Sequence, residues 1–234
     1  MINILLSQYN FHDKWANGSV QKYIDTDDKV AVIPFSFNEK LIGNATEWEN
    51  AYNKNYGKYY REIVEPFLQL GIKEENIILL NFFEDKEDDM KRIIEDSNVV
   101  FLTGGLPDMA AKRILEKNLL KHIDNEDKVI IGASAGALIQ LSNYHITPDK
   151  DYSEFMYLKG LGLIKENFYV EVHYAETDLQ KNCIQRVLKE ETDTVYAIKD
   201  TGGIILDNNI ITLLGDVVTF KEMTRINGNS ARPS

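Results

Sequence analysis

The chain has very little of several features that mark particular classes of protein. Cys183 is the only cysteine among its 234 residues, so an intramolecular disulfide and a cysteine-rich metal site are both excluded. No apolar run reaches the length of a membrane span, and residues 1–6 lack the basic start of a secretory signal. We therefore expect a cytoplasmic protein without a membrane partner, and a Cys183 side chain that only fills space in a helix.

Positive charge is also scarce. The sequence has 26 lysines and arginines against 37 aspartates and glutamates, which gives a formal net charge of −11. No clustered basic face is evident, so nucleic acid is not an expected partner. The hydrophobic share of 44% is ordinary for a globular protein. A chain of this length commonly folds around one core, which predicts a single α/β domain over residues 1–234.

Short apolar strands alternate with amphipathic helical patterns in the first half of the chain. The strands are predicted at residues 2–7, 29–35, 76–82 and 98–102, and the helices at residues 45–70, 84–96 and 107–122. Such alternation predicts a mostly parallel sheet with helices on both faces, an α/β/α sandwich. In such a sheet, a site forms where the loops leave the carboxyl ends of the strands.

The second half of the chain is less regular. Residues 142–162 show little periodicity and are predicted to be a segment that covers the site. A strand at residues 168–174 and a helix at 176–188 come next, and a strand at 194–198 ends just before Asp200. A C-terminal β-hairpin and an edge strand are predicted over residues 204–218, followed by a polar tail at residues 227–234.

The stretch around Ser134 is the most informative in the sequence. A run of β-branched residues leads into Gly132-Ala133-Ser134-Ala135-Gly136, and a helical pattern follows. This Gly-x-Ser-x-Gly cluster between a strand and a helix is typical of a nucleophile elbow, in which a tight turn exposes the serine hydroxyl. The small residues could instead reflect close packing of a helix on a strand, but the strand–turn–helix context favours a nucleophilic Ser134.

A serine nucleophile needs a base, and histidine is the usual one. Of the four histidines, His12 and His122 lie in polar surroundings and are expected to be solvated, while His145 is a possible base. We favour His173, because it ends a strand as Ser134 does, and strand ends converge on one crevice.

Asp200 is the predicted third member, orienting the imidazole of His173. It precedes Thr201-Gly202-Gly203 and could alternatively cap its own turn. The order serine, histidine, acid differs from that of the α/β-hydrolases, which argues against an ordinary esterase. The backbone N–H groups of Ala135 and Gly105 are the predicted oxyanion donors, each worth on the order of 3 kcal/mol.

Together these segments resemble the serine-peptidase family of aspartyl dipeptidase (peptidase E) and cyanophycinase, which has a class I glutamine amidotransferase-like, flavodoxin-like fold. The resemblance rests on four segments: Leu102-Thr103-Gly104-Gly105, Gly132-Ala133-Ser134-Ala135-Gly136-Ala137, Val172-His173-Tyr174 and Ala197-Ile198-Lys199-Asp200-Thr201-Gly202. It implies Ser134 as nucleophile, His173 as base, and Gly105 and Ala135 as oxyanion donors. Asp200 falls where that family has its acidic third member, more often a glutamate.

Three positions depart from the family pattern. Leu106 stands where the family usually has asparagine, and Thr177 and Leu179 stand where it tends to carry arginines, with Asp178 between them. The resemblance implies a serine-type peptidase or amide hydrolase that acts on a small peptide, needs no cofactor or metal, and is a monomer or homodimer. A catalytically weak relative that binds a small ligand or a partner protein remains an alternative. A glutaminase is a weaker one, because such enzymes of similar fold have cysteine in place of Ser134.

Overall fold

The computed structural model describes residues 1–222; the polar tail predicted at residues 227–234 lies outside them. The helices are α1 (Asn17–Val20), α2 (Ala45–Tyr52), α3 (Tyr60–Gln69), α4 (Glu87–Glu95), α5 (Pro107–Glu116), α6 (Leu120–Ile123), α7 (Ala135–Leu138) and α8 (Asp178–Glu190). The strands are β1 (Ile2–Leu6), β2 (Val30–Ile33), β3 (Ile77–Leu79), β4 (Val99–Leu102), β5 (Val129–Ala133), β6 (Asn143–Ile146), β7 (Met156–Lys159), β8 (Tyr169–Glu171), β9 (Thr194–Asp207) and β10 (Ile210–Lys221).

The central sheet is mostly parallel. Its strands lie in the order β10, β9, β1, β5, β4, β2, β3, and β8 pairs with the first part of β9. The five strands from β1 to β3 in this order run parallel, whereas β9 and β10 form an antiparallel C-terminal hairpin at one edge. The predicted parallel sheet and C-terminal hairpin are thus confirmed.

Helices cover both faces of this sheet. Successive residues of β4 alternate between the two cores, with Val100 and Leu102 on one face and Val99 and Phe101 on the other. The first core packs against α2, α4, α5, α6 and α7, and the second against α1 and α3. This is the predicted α/β/α sandwich, and α7, the helix that follows Ser134, lies on the first face.

The single helix predicted over residues 45–70 is wrong. The structure has α2 and α3 instead, because residue Asn53 leaves α2 in an extended conformation and the chain folds back, with Lys58 N donating to Asn50 O and Tyr59 N to Ala51 O. The spacing of aromatic residues in the sequence does not show this break, because Tyr52 and Tyr59 on its two sides still pack together, with ring centroids 5.9 Å apart. The spacing of aromatic residues therefore reflects packing that α2 and α3 share, and it does not reveal the turn between them.

Three further boundaries differ from the sequence prediction. The helix predicted over residues 107–122 is two helices, α5 and α6, separated at Asn118, whose φ is +53°. Residues 142–162 contain an antiparallel hairpin of β6 and β7. The strand predicted to end before Asp200 continues through it, so that β9 is 14 residues long.

Within residues 1–222, none of the helices combines the length and the apolar character that crossing a membrane requires. Cys183 is a buried, unpaired thiol on α8, as predicted, and burial raises its pKa.

Candidate active site

Ser134 occupies a strained turn between β5 and α7. Its backbone has φ +53° and ψ −115°, a conformation that non-glycine residues adopt rarely. Its N–H donates to Leu6 O at 2.8 Å, which ties the turn to the end of β1. A Cβ on Gly136 would lie 2.0 Å from Leu102 O, so only glycine lets the helix approach β4 this closely. The turn therefore has the backbone that a nucleophile elbow requires.

The structure brings His173 to Ser134. The distance from His173 Nε2 to Ser134 Oγ is 2.9 Å, within hydrogen-bond range. The backbone of His173 is held by Ser7, whose Oγ accepts from His173 N at 2.9 Å and donates to Ile198 O at 2.8 Å. One hydroxyl at the end of β1 thus connects the loop after β8 to β9.

Asp200 completes the predicted group. Its Oδ1 lies 3.0 Å from His173 Nδ1, and this hydrogen bond is the main cause that holds the pKa of Asp200 below its usual value. The sequence suggested that Asp200 ends a strand, but the strand continues past it. It lies within β9 at a bulge, where residues 199–201 stand opposite Asp216 of β10.

Asp200 still reaches the carboxyl edge of the sheet because β9 runs antiparallel to β1. Gly203 pairs with Leu6, the last residue of β1, so the residues before Gly203 lie beyond the carboxyl end of that strand. Leu6 also pairs with Ala133 on its other side, directly before Ser134. The register of three strands therefore brings Asp200 and Ser134 to the same edge.

The two predicted oxyanion donors face the same region. The N–H groups of Gly105 and Ala135 donate no hydrogen bond within residues 1–222, and both residues line one cavity together with Ser134. Gly105 has φ +137°, and a Cβ there would lie 2.3 Å from Ser36 O, so the position requires glycine. Two free backbone donors beside a serine hydroxyl suit a tetrahedral oxyanion.

Sequence reasoning missed the residues that follow β1. Gln8 Nε2 lies 3.3 Å from Asp200 Oδ1 and 3.4 Å from His173 Nδ1, and Asn10 Nδ2 donates to Asp200 O at 3.0 Å. Tyr9 Oη accepts from Gly104 N at 2.7 Å, and burial raises the pKa of Tyr9 to about 12, so its phenol stays neutral. The available signal was a polar run placed directly after a buried strand, at the edge where sites form.

Two cavities meet at Gly105. The first, of about 380 Å³, is lined by Ser134, His173, the β6 end of the hairpin and the start of α8. The second, of about 520 Å³, is also lined by Gly104 and has a mixed lining of polar side chains and rings that include Tyr52 and Tyr59. The segment that was predicted to cover the site supplies a wall of the first cavity.

None of the other three histidines is hydrogen-bonded to Ser134. His145 Nε2 lies 2.7 Å from Glu171 Oε2, and its side chain is fully buried. His122 pairs with Glu95, and His12 lies 3.8 Å from Asp13. Among the described residues, no group of three or more His, Cys, Asp or Glu side chains is arranged to hold a metal ion.

Comparison with known proteins agrees with this architecture. A sequence model of peptidase family S51 matches residues 50–214, more than half of the chain. A crystal structure of a protein assigned to peptidase E from Listeria monocytogenes EGD-e is similar, with a TM-score of 0.61 and 18% identity over 95% of this chain and 98% of that one. A peptidase from an acI-B1 actinobacterium has a TM-score of 0.65 and 14% identity over 95% of this chain and 91% of its own. None of the curated proteins matches the sequence significantly.

Proposed function

We propose, from the premise that this chain belongs to peptidase family S51 and is a peptidase, that it cleaves small peptides through an acyl enzyme on Ser134. His173 acts as the base and Asp200 orients it. The observation that carries the proposal is the continuous contact from Asp200 Oδ1 through the imidazole to Ser134 Oγ, with distances of 3.0 Å and 2.9 Å.

The first half of the reaction forms the acyl enzyme. With the Nδ1 proton held by Asp200, His173 Nε2 has a free lone pair and accepts the proton of Ser134 Oγ as the oxygen attacks the peptide carbonyl carbon. The carbonyl oxygen becomes an oxyanion and accepts hydrogen bonds from Gly105 N and Ala135 N. The C–N bond then breaks, and the imidazolium of His173 gives its proton to the leaving amine.

The second half releases the acid product. Water enters the position of the leaving amine, His173 Nε2 takes one of its protons, and the hydroxide oxygen attacks the ester carbon. The ester bond to Ser134 Oγ breaks, the imidazolium returns the proton to that oxygen, and the carboxylic acid product leaves. Every proton passes through Nε2, so no cofactor is needed.

Small substrates are favoured by the shape of the site. The cavity beside Ser134 is about 380 Å³ and is closed on one side by the hairpin, and such a volume lies near the lower end of the range for ligand pockets. A ligand-binding protein without activity is disfavoured because that role does not require the strained Ser134 backbone or a histidine within 2.9 Å of its hydroxyl.

Covalent labelling tests the nucleophile directly. The native protein and Ser134→Ala are incubated with a fluorophosphonate and followed by intact mass, and the same two proteins are tested on a dipeptide and tripeptide library. We expect one adduct on the native chain only, and hydrolysis that Ser134→Ala abolishes. Equal labelling of the two proteins, or hydrolysis that survives in Ser134→Ala, would overturn the proposal.

A further inference from the structure

The cavity beside Ser134 is lined by acidic but not by basic side chains. Asp149 and Glu171 both line it, whereas no lysine or arginine within residues 1–222 does. Thr177 and Leu179, which stand where the family resemblance implied arginines, line the same cavity. An acidic substrate group would therefore meet carboxylates here and find no opposite charge.

Glu171 is the carboxylate held most firmly. It lies at the end of β8 and is only 5% exposed, and its Oε2 accepts from Thr147 Oγ1 at 2.8 Å and pairs with His145 Nε2 at 2.7 Å. Both hydrogen bonds recorded for this carboxylate go to Oε2, so Oε1 keeps its acceptor capacity for another partner. A carboxylate that is itself largely removed from solvent attracts a cation more strongly than an exposed one does.

His145 adds a second polar group that lacks a partner. His145 is one of the residues that line the same cavity, its side chain is fully buried, and Nδ1 has no hydrogen-bond partner among the described residues. Nε2 is the ring nitrogen in contact with Glu171, so Nδ1 is the polar atom of the ring that is left without a partner. A buried polar atom without a partner is unfavourable, so this wall of the cavity is polar behind Glu171.

We propose that this cavity binds a positively charged group of the substrate, an ammonium or guanidinium next to the scissile bond, and that Glu171 is the residue that selects it. The inference rests on the proposed peptidase function and adds the substrate class. The charged group belongs either to a basic side chain or to the free N-terminus of a short peptide. Both are polyvalent N–H donors of the kind that the free Oε1 of Glu171 accepts.

Matched substrates separate these two sources. The native protein is assayed on short peptides that differ at one residue beside the cleaved bond, arginine against citrulline and lysine against norleucine, and on each peptide with a free and an acetylated N-terminus. We expect kcat/KM to be at least about 10-fold higher for the charged member of a side-chain pair or for the free amine. Equal rates throughout, or a preference for the neutral members, would overturn the proposal.

The variant Glu171→Gln assigns the preference to one carboxylate. It keeps the shape and an acceptor oxygen but removes the charge, so we expect the ratio of kcat/KM between the charged and the neutral member to fall about 10-fold. Glu154→Gln makes the same change of charge at an exposed residue that does not line the cavity, and should leave the ratio unchanged. A ratio that survives in Glu171→Gln, or an equal loss on all substrates, contradicts the selective role.

Labelling keeps this inference separate from the proposed function. If the fluorophosphonate modifies Ser134 and peptides are cleaved without any preference for a cation, the peptidase function stands and the substrate class is wrong. If Glu171→Gln folds poorly, the substrate ratios of the native protein still decide, because they need no variant.

Discussion

In two of the histidine–carboxylate pairs in the molecule, the histidine lines the cavity beside Ser134, and these two pairs differ mainly in burial. His173 pairs with Asp200 at 3.0 Å, and the side chains are 42% and 65% exposed. His145 pairs with Glu171 at 2.7 Å, and the corresponding values are 0% and 6%. The second nitrogen of His173 faces a serine hydroxyl, whereas the second nitrogen of His145 has no partner among the described residues.

This contrast shows that the chemistry of a pair depends on what surrounds it. The exposed pair has access to water and to a reacting group, so its ring can pick up and release protons during a reaction cycle. The buried pair is held by Thr147 and by the ring of Phe155, which stacks on His145 at 5.8 Å. It has no hydrogen bond to Ser134, and in our proposal its carboxylate recognises the substrate.

Replacing each histidine by glutamine should separate the two pairs most clearly. His173→Gln removes the proton acceptor, and we expect kcat to fall by about 10⁴-fold or more. His145→Gln retains an amide donor for Glu171, so kcat should fall by less than about 10-fold on a neutral substrate. Steady-state kinetics on a single peptide measures both, and a collapse of kcat in His145→Gln would break the distinction.

The acid of the exposed pair should have an intermediate effect. Asp200→Asn lets the amide hold the wrong tautomer of His173, and we expect kcat to fall about 100-fold, less than for a buried acid because solvent reaches Asp200. Asp216→Asn is the matched control, since Asp216 Oδ2 accepts from Thr201 Oγ1 on the neighbouring strand and has no contact with His173. Similar losses in the two variants would point to disturbance of the hairpin.

The smallest effect is on the free energy of unfolding as a function of pH. The pKa of Asp200 is lowered in the folded state by the hydrogen bond to His173, so this carboxylate stabilises the fold above its unfolded-state pKa, near 3.9. That contribution is lost as the pH falls through the lowered value. Urea unfolding of the native protein and Asp200→Asn should give a small difference near neutral pH that vanishes in acid. A difference that grows towards acid would contradict it.

Much of the site could be predicted from local sequence. Residues Gly132 to Gly136 predict the elbow, because a tight turn leaves room only for small residue types. Gly105 is restricted to glycine for the same steric reason. His173 was placed by the rule that strand ends converge. These are short-range constraints, and each is visible within about five residues of the chain.

What the sequence did not predict depends on long-range pairing. Gln8 is 165 residues from His173 along the chain, and no local pattern marks it as a partner. The uninterrupted course of β9 through Asp200 depends on β8, β1 and β10 pairing with different parts of it. In the hairpin of β6 and β7, strand β7 is half-buried and its side chains do not alternate between buried and exposed. The sequence pattern therefore did not predict a strand there.

The bulge at Asp200 has a consequence for how this acid can vary. Side chains alternate between the two faces of a strand, so deleting a single residue from 199–201 would turn the carboxylate away from the imidazole. An aspartate side chain is also one methylene shorter than that of a glutamate. The bulge moves the backbone of Asp200 out of the regular strand, which can compensate for the shorter distance that its carboxylate spans. The geometry of the acid is thus encoded in the number of residues between two pairing registers, and an insertion or deletion there would alter it more than an exchange of side chain.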